Sequence, residues 1–317
     1  MKNLTWQNPG QLFVAQELIK IVKLKCCGIK GEEEYLNHFV RTCYDSYYPY
    51  MFFPNYKELA DVDFSHITIF CGSNGSGKST LLNVIAEKLG LKRETPYNKT
   101  DFFDPYLNAC SYELNVHDKE ELKEMKKVSR IITSDDVFNH ILNVRERNER
   151  ISFKRGLIFD EKRDMNIHGW NGPRSIDFED PESVKAFMDY HQKFKQSASK
   201  YVRRNIGVDE RTYSNGENGF KYFTDAIQPG GLYLLDEPEN SLSAEMQIEL
   251  AKYIIGMTRF YDCQFVMSTH SPFLLSIPYA LIYNMDEMPV RTCKWTELSN
   301  IRIYHDFFKE HLSEFDD

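Results

Sequence analysis

The amino-acid sequence predicts an α/β fold with a mostly parallel core sheet, and three observations lead to this class. Two short apolar runs, LYLLD at 232–236 and CQFVMST at 263–269, are typical of buried strands. The segment between them, SAEMQIELAKYIIGM, has helical spacing with Ser243 as its expected cap, and a helix that links two buried strands implies parallel pairing. A third apolar strand, HITIF, precedes the glycine-rich loop GSNGSGKS at 72–79, and a helix follows this loop.

Composition restricts the class of protein further. The chain has 317 residues, 42% of them apolar, which is enough for one large domain or two ordinary ones. It contains no run of about 18 uncharged apolar residues, and its start lacks the basic-then-apolar pattern of a signal peptide. Seven scattered cysteines without a CxxC pair indicate a reduced protein without a zinc site. We therefore expect a cytoplasmic protein that does not enter the membrane.

The charge balance is acidic. Lys and Arg total 39 against 47 Asp and Glu, and the resulting net charge of −8 does not favour a protein that coats nucleic acid. Two clusters of basic residues, at 119–130 and 145–155, are interleaved with acidic ones. A solvated helix face explains such clusters, and contact with a phosphate backbone is the alternative.

The first 70 residues favour β-structure. FVAQELIKIVKLKCCG and HITIFCG carry β-branched and aromatic residues in partial alternation, and we expect an antiparallel N-terminal sheet here. The aromatic stretch at 44–56 is predicted to be a loop whose rings pack on the sheet; alternatively, it supplies a ring that stacks on a base. STLLNVIAEKLG is predicted to be a helix that ends at Gly90. Residues 91–127 are predicted to be irregular and then helical.

The middle of the chain is predicted to be mainly helical. RIITSDDVF at 130–138 is typical of a strand, and Ser134 or Asp135 is expected to cap the helix that follows. A second helix is expected to start at Asp180, with Pro181 at its first position.

We interpret the chain as a single domain without internal repeats. Its parts are a core at 1–136 and 210–290, a helical insertion at about 137–210 and a helical tail at about 291–317. The insertion and the tail lie outside the segments that contain the motifs below.

The loop GSNGSGKS fits the pattern G-x-x-x-x-G-K-[ST] at every position, with the strand and the helix that this pattern requires. Its glycines let backbone N–H groups close around phosphates, and the helix N-terminus adds a partial positive charge. Lys78 is expected to reach the β- and γ-phosphates, and Ser79 is expected to bind Mg²⁺. The residues predicted to bind the nucleotide here are Gly72, Asn74, Gly75, Ser76, Gly77, Lys78, Ser79 and Thr80.

A pair of carboxylates follows the strand LYLLD. The end of a parallel strand lies at the sheet edge where ligands bind, so we expect Asp236 to hold Mg²⁺, directly or through water. Glu237 is then placed to polarise an attacking water molecule. The strand QFVMST leads to His270, whose imidazole is expected to face the γ-phosphate. The predicted catalytic residues are therefore Lys78, Glu237 and His270.

These motifs together resemble the ATP-binding-cassette class of ATPases, in the RecF/SMC/OLD-like branch often described as AAA family ATPases. The resemblance rests on GSNGSGKST, YSNGE, LYLLDEPENSLS and STHSP. It implies a P-loop fold similar to an ABC-ATPase head, ATP and Mg²⁺ as cofactors, and hydrolysis of ATP to ADP and phosphate. It also implies a head-to-tail homodimer, or a higher oligomer, with the nucleotide between two copies.

The resemblance extends to YSNGE at 213–217. In this class a serine-glycine signature, usually LSGG followed by Gln or Glu, precedes the acidic strand and completes the ATP site of a second subunit. Ser214, Gly216 and Glu217 align with it, whereas Asn215 replaces a glycine. A serine hydroxyl and glycine N–H groups at a helix start can cap a γ-phosphate, and a plain turn is the alternative.

Two more segments are interpreted through the resemblance. ENSLS at 239–243 resembles the loop that crosses the dimer interface in this class, with Asn240 and Ser241 as its candidates. The class also has a glutamine at a strand-to-helix junction, where it contacts Mg²⁺, and the corresponding junction ITSDDVF lacks a glutamine. The candidates to replace it are Ser134, Asp135 and Asp136.

The predicted ATPase is expected to control a partner. One such partner is nucleic acid, in DNA maintenance, and the other is a separately encoded effector protein, in bacterial defence; the acidic charge and the small size favour the effector. The alternatives are a P-loop nucleotide or small-molecule kinase, the ATPase subunit of a transporter, and a protein that binds ATP without hydrolysis. A kinase has no need of Glu237, His270 or YSNGE, and the intact Lys78, Ser79, Asp236 and Glu237 disfavour an inactive protein.

Overall fold

The chain divides into two compact units. The computed structural model describes residues 20–26, 47–50, 52–116, 118–168, 180–185, 188 and 215–315. One unit, the core unit, comprises residues 1–138 and 215–317, and the other, the insertion unit, comprises residues 139–214. The sequence placed the insertion at about 137–210, and its assignment to a single domain stays a prediction.

The described residues form nine strands in two sheets. In chain order the strands are β1 (Ile21–Lys25), β2 (Asp61–Asp63), β3 (Ile67–Cys71), β4 (Ser111–Leu114), β5 (Arg130–Thr133), β6 (Leu232–Asp236), β7 (Gln264–Ser268), β8 (Leu281–Asn284) and β9 (Arg291–Thr292). The larger sheet has the order β5-β6-β7-β3-β8-β9, and each neighbouring pair is parallel except β8 with β9. Every residue of β3 and β7 is buried, as expected for parallel strands covered on both faces. The predicted α/β fold with a mostly parallel core sheet is confirmed.

The smaller sheet is antiparallel, with the order β2-β1-β4. Its presence confirms the predicted antiparallel sheet, but β4 comes from a segment that was predicted to be irregular. None of the four residues of β4 is buried, so its sequence lacks the apolar alternation that marks a strand. Of the long apolar stretch at 13–28, Ile21–Lys25 forms a strand, and residues 13–19, 27 and 28 lie outside the described residues.

A single buried amide ties the smaller sheet to the larger one. Gln264, the first residue of β7, accepts hydrogen bonds through Oε1 from the backbone N–H groups of Lys20 (2.9 Å) and Ile21 (2.8 Å). Its Nε2 donates to the carbonyls of Ile21 (2.9 Å) and Ser65 (2.9 Å). All hydrogen-bonding positions of this amide are used, which is what a fully buried polar side chain requires.

Eight α-helices lie among the described residues. They are α1 (Lys78–Leu89), α2 (Phe103–Ala109), α3 (Lys119–Val128), α4 (Ser134–His168), α5 (Asn215–Ala226), α6 (Ala244–Phe260), α7 (Pro272–Leu275) and α8 (Ser299–Glu310). Helix α1 ends at Gly90, whose φ of 64° is the left-handed conformation of a glycine cap, as predicted. Ser243 caps α6 by accepting the N–H of Met246, which also confirms the sequence prediction.

The start of α4 corrects the sequence prediction. Strand β5 ends at Thr133 and the helix begins at Ser134, so the strand does not extend to residue 138. Thr133 Oγ1 accepts the N–H of Asp136 (3.3 Å), and the Asp136 carboxylate accepts the N–H of Thr133 (2.8 Å). This reciprocal pair is a capping box, so the cap is Thr133 and neither Ser134 nor Asp135.

The insertion unit contains most of α4 and a short helical segment at 181–185. Asp180 accepts the backbone N–H groups of Glu182 (3.0 Å) and Ser183 (3.2 Å), which confirms it as the predicted cap. Over the described part of the chain, no helix combines the length and the apolar character needed to cross a membrane.

Rings from the aromatic stretch at 44–56 pack into the core, as one of the two predictions for it stated. Tyr50 and Phe53 are buried, and both contact the ring of Tyr106, with centroids 5.2 and 6.4 Å apart. Residues 44–46 and 51 lie outside the described residues. Tyr48 instead lies beside the phosphate loop.

Candidate active site

Three adjacent strands bring the predicted site residues to one edge of the larger sheet. Strand β7 lies between β3 and β6, and its last residue, Ser268, pairs with Phe70 on one side and Asp236 on the other. The phosphate loop (residues 72–79) follows β3, the acidic pair follows β6 and His270 follows β7. Because these strands are parallel, segments far apart in the chain end side by side.

Two glycines shape the phosphate loop. Gly75 and Gly77 have φ values of 81° and 96°, a left-handed conformation that costs glycine little and other residues more. The ring of Phe52 lies against Gly77 in the place where a Cβ atom would be. A side chain at position 77 would therefore meet both backbone strain and a collision.

Two polar groups of the phosphate loop, those of Lys78 and Ser76, have no described hydrogen-bond partner outside the loop. Lys78 Nζ donates to the carbonyls of Gly72 (2.7 Å) and Ser73 (3.0 Å), and burial lowers the pKa of this ammonium group. Ser76 Oγ is buried and has no hydrogen-bond partner among the described residues. A cation and a hydroxyl without external acceptors suit a loop that receives phosphate oxygens, so these residues fit ATP.

Oxygen groups suited to Mg²⁺ meet at the end of β6. Ser79 Oγ donates to Asp236 Oδ1 at 3.0 Å, and Ser268 Oγ also donates to this carboxylate. Burial raises the pKa of Asp236, and the two hydroxyl groups oppose that shift. A hydroxyl beside a carboxylate is a ligand pair that Mg²⁺ accepts together with phosphate oxygens and water, so Ser79 and Asp236 fit the predicted metal site.

Glu237 is held in a strained and well-supported conformation. Its φ of 49° is left-handed, which is uncommon for a residue with a side chain and concentrates at functional sites. Its N–H donates to the Ser268 carbonyl (3.1 Å), and its carboxylate accepts Asn240 Nδ2 (2.9 Å). The carboxylate is thus oriented by its own loop, as a group that positions water must be.

His270 lies beside Glu237, as the sequence predicts from neighbouring strands. Its Nε2 is 3.8 Å from Glu237 Oε1, and its backbone N–H donates to Glu239 Oε1 at 2.5 Å. Burial, followed by the nearby charge of Lys78, lowers the pKa of His270, so the imidazole is neutral at pH 7. Glu239 was not predicted as part of this site, and its position within DEPEN was the only signal available.

The pocket over the phosphate loop includes Tyr48, which belongs to the aromatic stretch for which the sequence allowed two interpretations. A cavity of about 310 Å³ is lined by Tyr48, Asn74, Gly75, Gly77, Lys78, Ser79, Thr80 and Glu237. Tyr48 and Thr80 share a hydrogen bond through their hydroxyl groups. Burial raises the pKa of Tyr48, which keeps this hydroxyl neutral. The aromatic stretch therefore contributes one ring to the nucleotide pocket, beside rings that belong to the core.

Asp286 is a site residue that the sequence analysis missed. Its carboxylate accepts the N–H of Ser73 at both oxygens (2.8 and 2.9 Å) and the Ser73 hydroxyl at 2.7 Å. It follows β8, the other neighbour of β3, so only the sheet order brings it to the phosphate loop. No local pattern around Asp286 distinguishes it from a surface acid.

The signature segment is described in part. Ser214 lies outside the described residues, whereas Gly216 and Glu217 lie in the first turn of α5. A Cβ atom on Gly216 would be 3.4 Å from the backbone nitrogen of Ser243, and Glu217 is exposed. Neither residue is among the described residues that line the cavity around Lys78. Their contact with a second copy stays a prediction.

Of the three candidates for the missing glutamine, Asp136 has other partners. Its carboxylate accepts the N–H and the hydroxyl of Thr133 (2.8 and 3.0 Å) and the hydroxyl of Thr95, and the residue is buried. It therefore holds the start of α4. Ser134 and Asp135 stay predictions.

Comparison with protein families identifies the class. The ABC transporter family model matches residues 60–240, which is more than half of the chain. The chain belongs to this family of ABC-type P-loop ATPases. A second model, described as an AAA domain and linked by its description to the AbiEii toxin and a Type IV TA system, matches residues 220–276. No curated protein sequence matches the chain.

Solved structures similar to this chain include ABC cassettes and Smc heads. One is a dimeric post-hydrolysis state of the ATP-binding cassette MJ0796 bound to ADP and Pi, with 16% identity and a TM-score of 0.33. That match covers 75% of this chain and 90% of the other. Another is the Smc head domain from Pyrococcus furiosus, bound to the C-terminal domain of ScpA, with 16% identity and a TM-score of 0.36. It covers 78% of this chain and 94% of the other.

Proposed function

We propose that this chain binds ATP with Mg²⁺ and hydrolyses it to ADP and phosphate, and that the cycle joins and releases two copies. The observation that carries the proposal is the convergence of Lys78, Ser79, Asp236 and Glu237 at one sheet edge. Hydrolysis requires a phosphate-binding cation, metal ligands and a water-positioning carboxylate in one place. A binding protein without turnover has no need of Glu237 in its strained position.

Each residue has a separate role in the proposed reaction. Lys78 leaves its own loop carbonyls and binds the β- and γ-phosphates, while the N–H groups at the start of α1 hold the phosphate oxygens. Ser79 and Asp236 would hold Mg²⁺, which neutralises phosphate charge when bound. Glu237 orients the attacking water, and the neutral His270 contacts the γ-phosphate. The reaction depends on positioning and charge stabilisation rather than on a covalent intermediate.

The second half of the proposed site comes from another copy. Gly216 and Glu217 lie in the first turn of α5 and Ser214 precedes this helix in the sequence; the dipole at a helix N-terminus favours an anion. The phosphate loop already provides one anion cradle in the same chain. A second cradle is useful when two copies face each other head to tail and each completes the site of the other.

The output of the cycle is proposed to be control of a separately encoded effector protein. The family model over residues 220–276, which is linked to a toxin system, is the observation that favours an effector. Nucleic acid is the second candidate partner, and the net charge of −8 weighs against it. Phosphate release should therefore be measured with duplex and single-stranded DNA at several salt concentrations. Stimulation that weakens steeply with salt would assign the partner to nucleic acid.

Replacement of Glu237 with Gln tests the catalytic assignment. Hydrolysis should fall by about 10²-fold or more, because a neutral amide polarises water poorly. ATP binding should persist, and a sizing column with ATP and Mg²⁺ should show an accumulated dimer. Glu249→Gln, which changes a half-buried carboxylate paired with Lys252 on α6, should behave as wild type. A Glu237→Gln chain that stays monomeric at saturating ATP would contradict the shared site.

A mixing experiment tests whether two chains share each site. Lys78→Ala and Ser214→Arg should each abolish hydrolysis alone. A mixed dimer of the two has one site with both halves intact, so an equimolar mixture should recover about one quarter of wild-type activity. No recovery, in a mixture that forms dimers, would show that YSNGE is only a turn.

A further inference from the structure

Helix α8 exposes an unusual amount of apolar surface. Within the helix only Ile301 is buried. Six large apolar side chains of α8 and the turn after it are between 48% and 70% exposed. They are Ile303, Tyr304, Phe307, Phe308, Leu312 and Phe315, and we call them the α8 face.

The α8 face has the pattern of an amphipathic helix whose apolar stripe packs against another surface. Tyr304, Phe308 and Leu312 recur at helical spacing, and Ile303 and Phe307 widen the stripe. The charged side chains of α8, among them Arg302, Asp306, Lys309 and Glu310, occupy the remainder of the helix surface. An amphipathic helix normally buries such a stripe, and a contiguous exposed apolar patch of this kind marks an interaction site.

A cavity of about 680 Å³ adjoins the α8 face. Its wall is formed by the loop after β6, by α6 and α7, and by α8, and its apolar lining includes Phe273, Trp295, Ile301, Tyr304 and Phe308. Tyr304 and Phe308 belong to both the face and the cavity. The protein thus presents a protruding apolar ridge and a hollow that can hold several side chains on one continuous surface.

The features of this surface favour a second copy of the chain as its occupant. A two-fold contact uses the same patch on both partners, so the patch must be self-complementary, and a patch with both a protrusion and a hollow, such as this one, meets that requirement. The six side chains offer on the order of 600–800 Å² of surface, close to what one partner contributes to a stable interface. Arg302 on the cavity rim and Glu310 on the exposed surface of α8 provide charges of both signs for pairing.

We propose that the α8 face is a self-association surface that joins two copies of this chain in the absence of nucleotide. This contact is centred on α8, whereas the ATP-dependent head-to-tail contact proposed above is centred on the phosphate loop and YSNGE, and the two share Asn240. It also reaches the catalytic edge, because Glu239, Asn240 and His270 line the same cavity. His270 Nε2 is buried and has no hydrogen-bond partner among the described residues. A side chain of the second copy that enters the cavity therefore lies against the γ-phosphate sensor, and loss of the contact should change the rate of ATP hydrolysis.

Sedimentation velocity of the full chain without nucleotide tests the proposal. The wild-type chain should be mostly dimeric at about 10 µM, as expected for a dissociation constant of about 1 µM. The double variant Ile303→Asp/Phe307→Asp should raise the dimer dissociation constant about tenfold or more, since charges would enter an apolar contact. Phe260→Asp, which alters a side chain that is 73% exposed on α6, is the matched control and should dimerise as wild type. Circular dichroism of all variants should agree, because the replaced side chains are exposed.

The outcomes separate this proposal from the ATP-dependent dimer. A wild-type chain that stays monomeric overturns it, as does a dimer that the double variant does not weaken. A complex that forms only with a second protein assigns the surface to that protein and equally overturns it. The triple variant that also carries Glu237→Gln, measured by sedimentation with ATP, distinguishes the two contacts. If that variant dimerises with ATP, the proposed catalytic dimer stands, even if the α8 contact is disproved. If the wild-type chain dimerises without nucleotide and the double variant does not, the α8 contact stands, even if ATP causes no dimerisation.

Discussion

Two loops at the same sheet edge differ in how they are held. In the loop after β6, Glu237 accepts Asn240, Glu239 accepts the His270 N–H, and Gln247 donates to the Leu242 carbonyl at 3.0 Å. In the phosphate loop, Lys78 donates only to carbonyls of its own loop, and the buried Ser76 hydroxyl has no hydrogen-bond partner in the described part of the chain. The first loop is braced by hydrogen bonds within it and from neighbouring segments. The second is held from outside at Ser73 and Ser79, while its cation and its buried Ser76 hydroxyl have no described partner outside the loop.

This difference indicates separate roles for the two loops in the proposed site. The braced loop carries groups that must not move during the reaction, because dipoles fixed in advance cost no reorganisation at the transition state. The phosphate loop must exchange its internal hydrogen bonds for bonds to the nucleotide. We therefore expect substitutions in the braced loop to affect turnover, and substitutions that support the phosphate loop to affect ATP binding.

Lys78→Ala tests the phosphate loop with the largest expected effect. The loop loses its only buried cation, and hydrolysis should fall by about 10³-fold with weaker ATP binding. Phosphate release and nucleotide titration measure the two effects. Lys123→Ala removes an exposed lysine of α3 and should leave both unchanged. Activity near the wild-type level in Lys78→Ala would remove the phosphate loop from the mechanism.

His270→Ala tests the braced edge. Hydrolysis should fall by about 10²-fold while the KM for ATP changes little, because a positioned donor acts on the transition state. Steady-state kinetics measure the split between kcat and KM. His311→Ala removes a half-buried histidine that pairs with Glu314, away from the phosphate loop, and serves as the control. A change in KM with kcat preserved would mean that His270 contributes to ATP binding and not to turnover, which would contradict the separate roles proposed for the two loops.

Asp286→Ala sharpens the comparison, because Asp286 is the external support of the phosphate loop at Ser73. Loss of hydrogen bonds worth about 1 kcal/mol should raise the KM for ATP roughly fivefold, with kcat within about twofold. Glu287→Ala removes the same charge from the same turn without touching Ser73, so it controls for electrostatics. Equal effects of the two variants would show that charge matters here and the contact to Ser73 does not.

Ser243→Ala has the smallest expected effect. It removes the cap of α6, which should lower the free energy of unfolding by about 1 kcal/mol and leave kcat nearly unchanged. Denaturant unfolding measures the loss. Ser299→Ala is the control, because Ser299 starts α8 without capping it. A large loss of turnover in Ser243→Ala would mean that the cap also positions the neighbouring Gly216.

Local patterns predicted the parts of the site that lie next to each other in the chain. The sequence predicts the phosphate loop, the acidic pair and the cap Ser243, because the residues that define each of them lie within a few positions of one another. Asp286 and Glu239 were not recognised, since their partners come from other strands and only the order β6-β7-β3-β8 brings them together. Tyr48 could be placed only as one ring among many.

The errors in the fold prediction have similar causes. Strand β4 was missed because none of its residues is buried, so its hydrophobic pattern is weak. Thr133 was passed over as a cap in favour of Ser134 and Asp135, although the spacing of Thr133 and Asp136 is that of a capping box. The apolar run before Thr133 favoured a longer strand, and only the hydrogen bonds decide where the helix begins.

The amide of Gln264 links β7 to the antiparallel sheet at the end of the strand opposite His270. One end of this strand is fastened through Gln264 to β1, and the other leads directly to His270, a span of five strand residues or about 17 Å. A stiff strand of this length transmits a small displacement without much bending. Under the proposed function, a partner that binds the antiparallel sheet would therefore act on the same strand that positions His270.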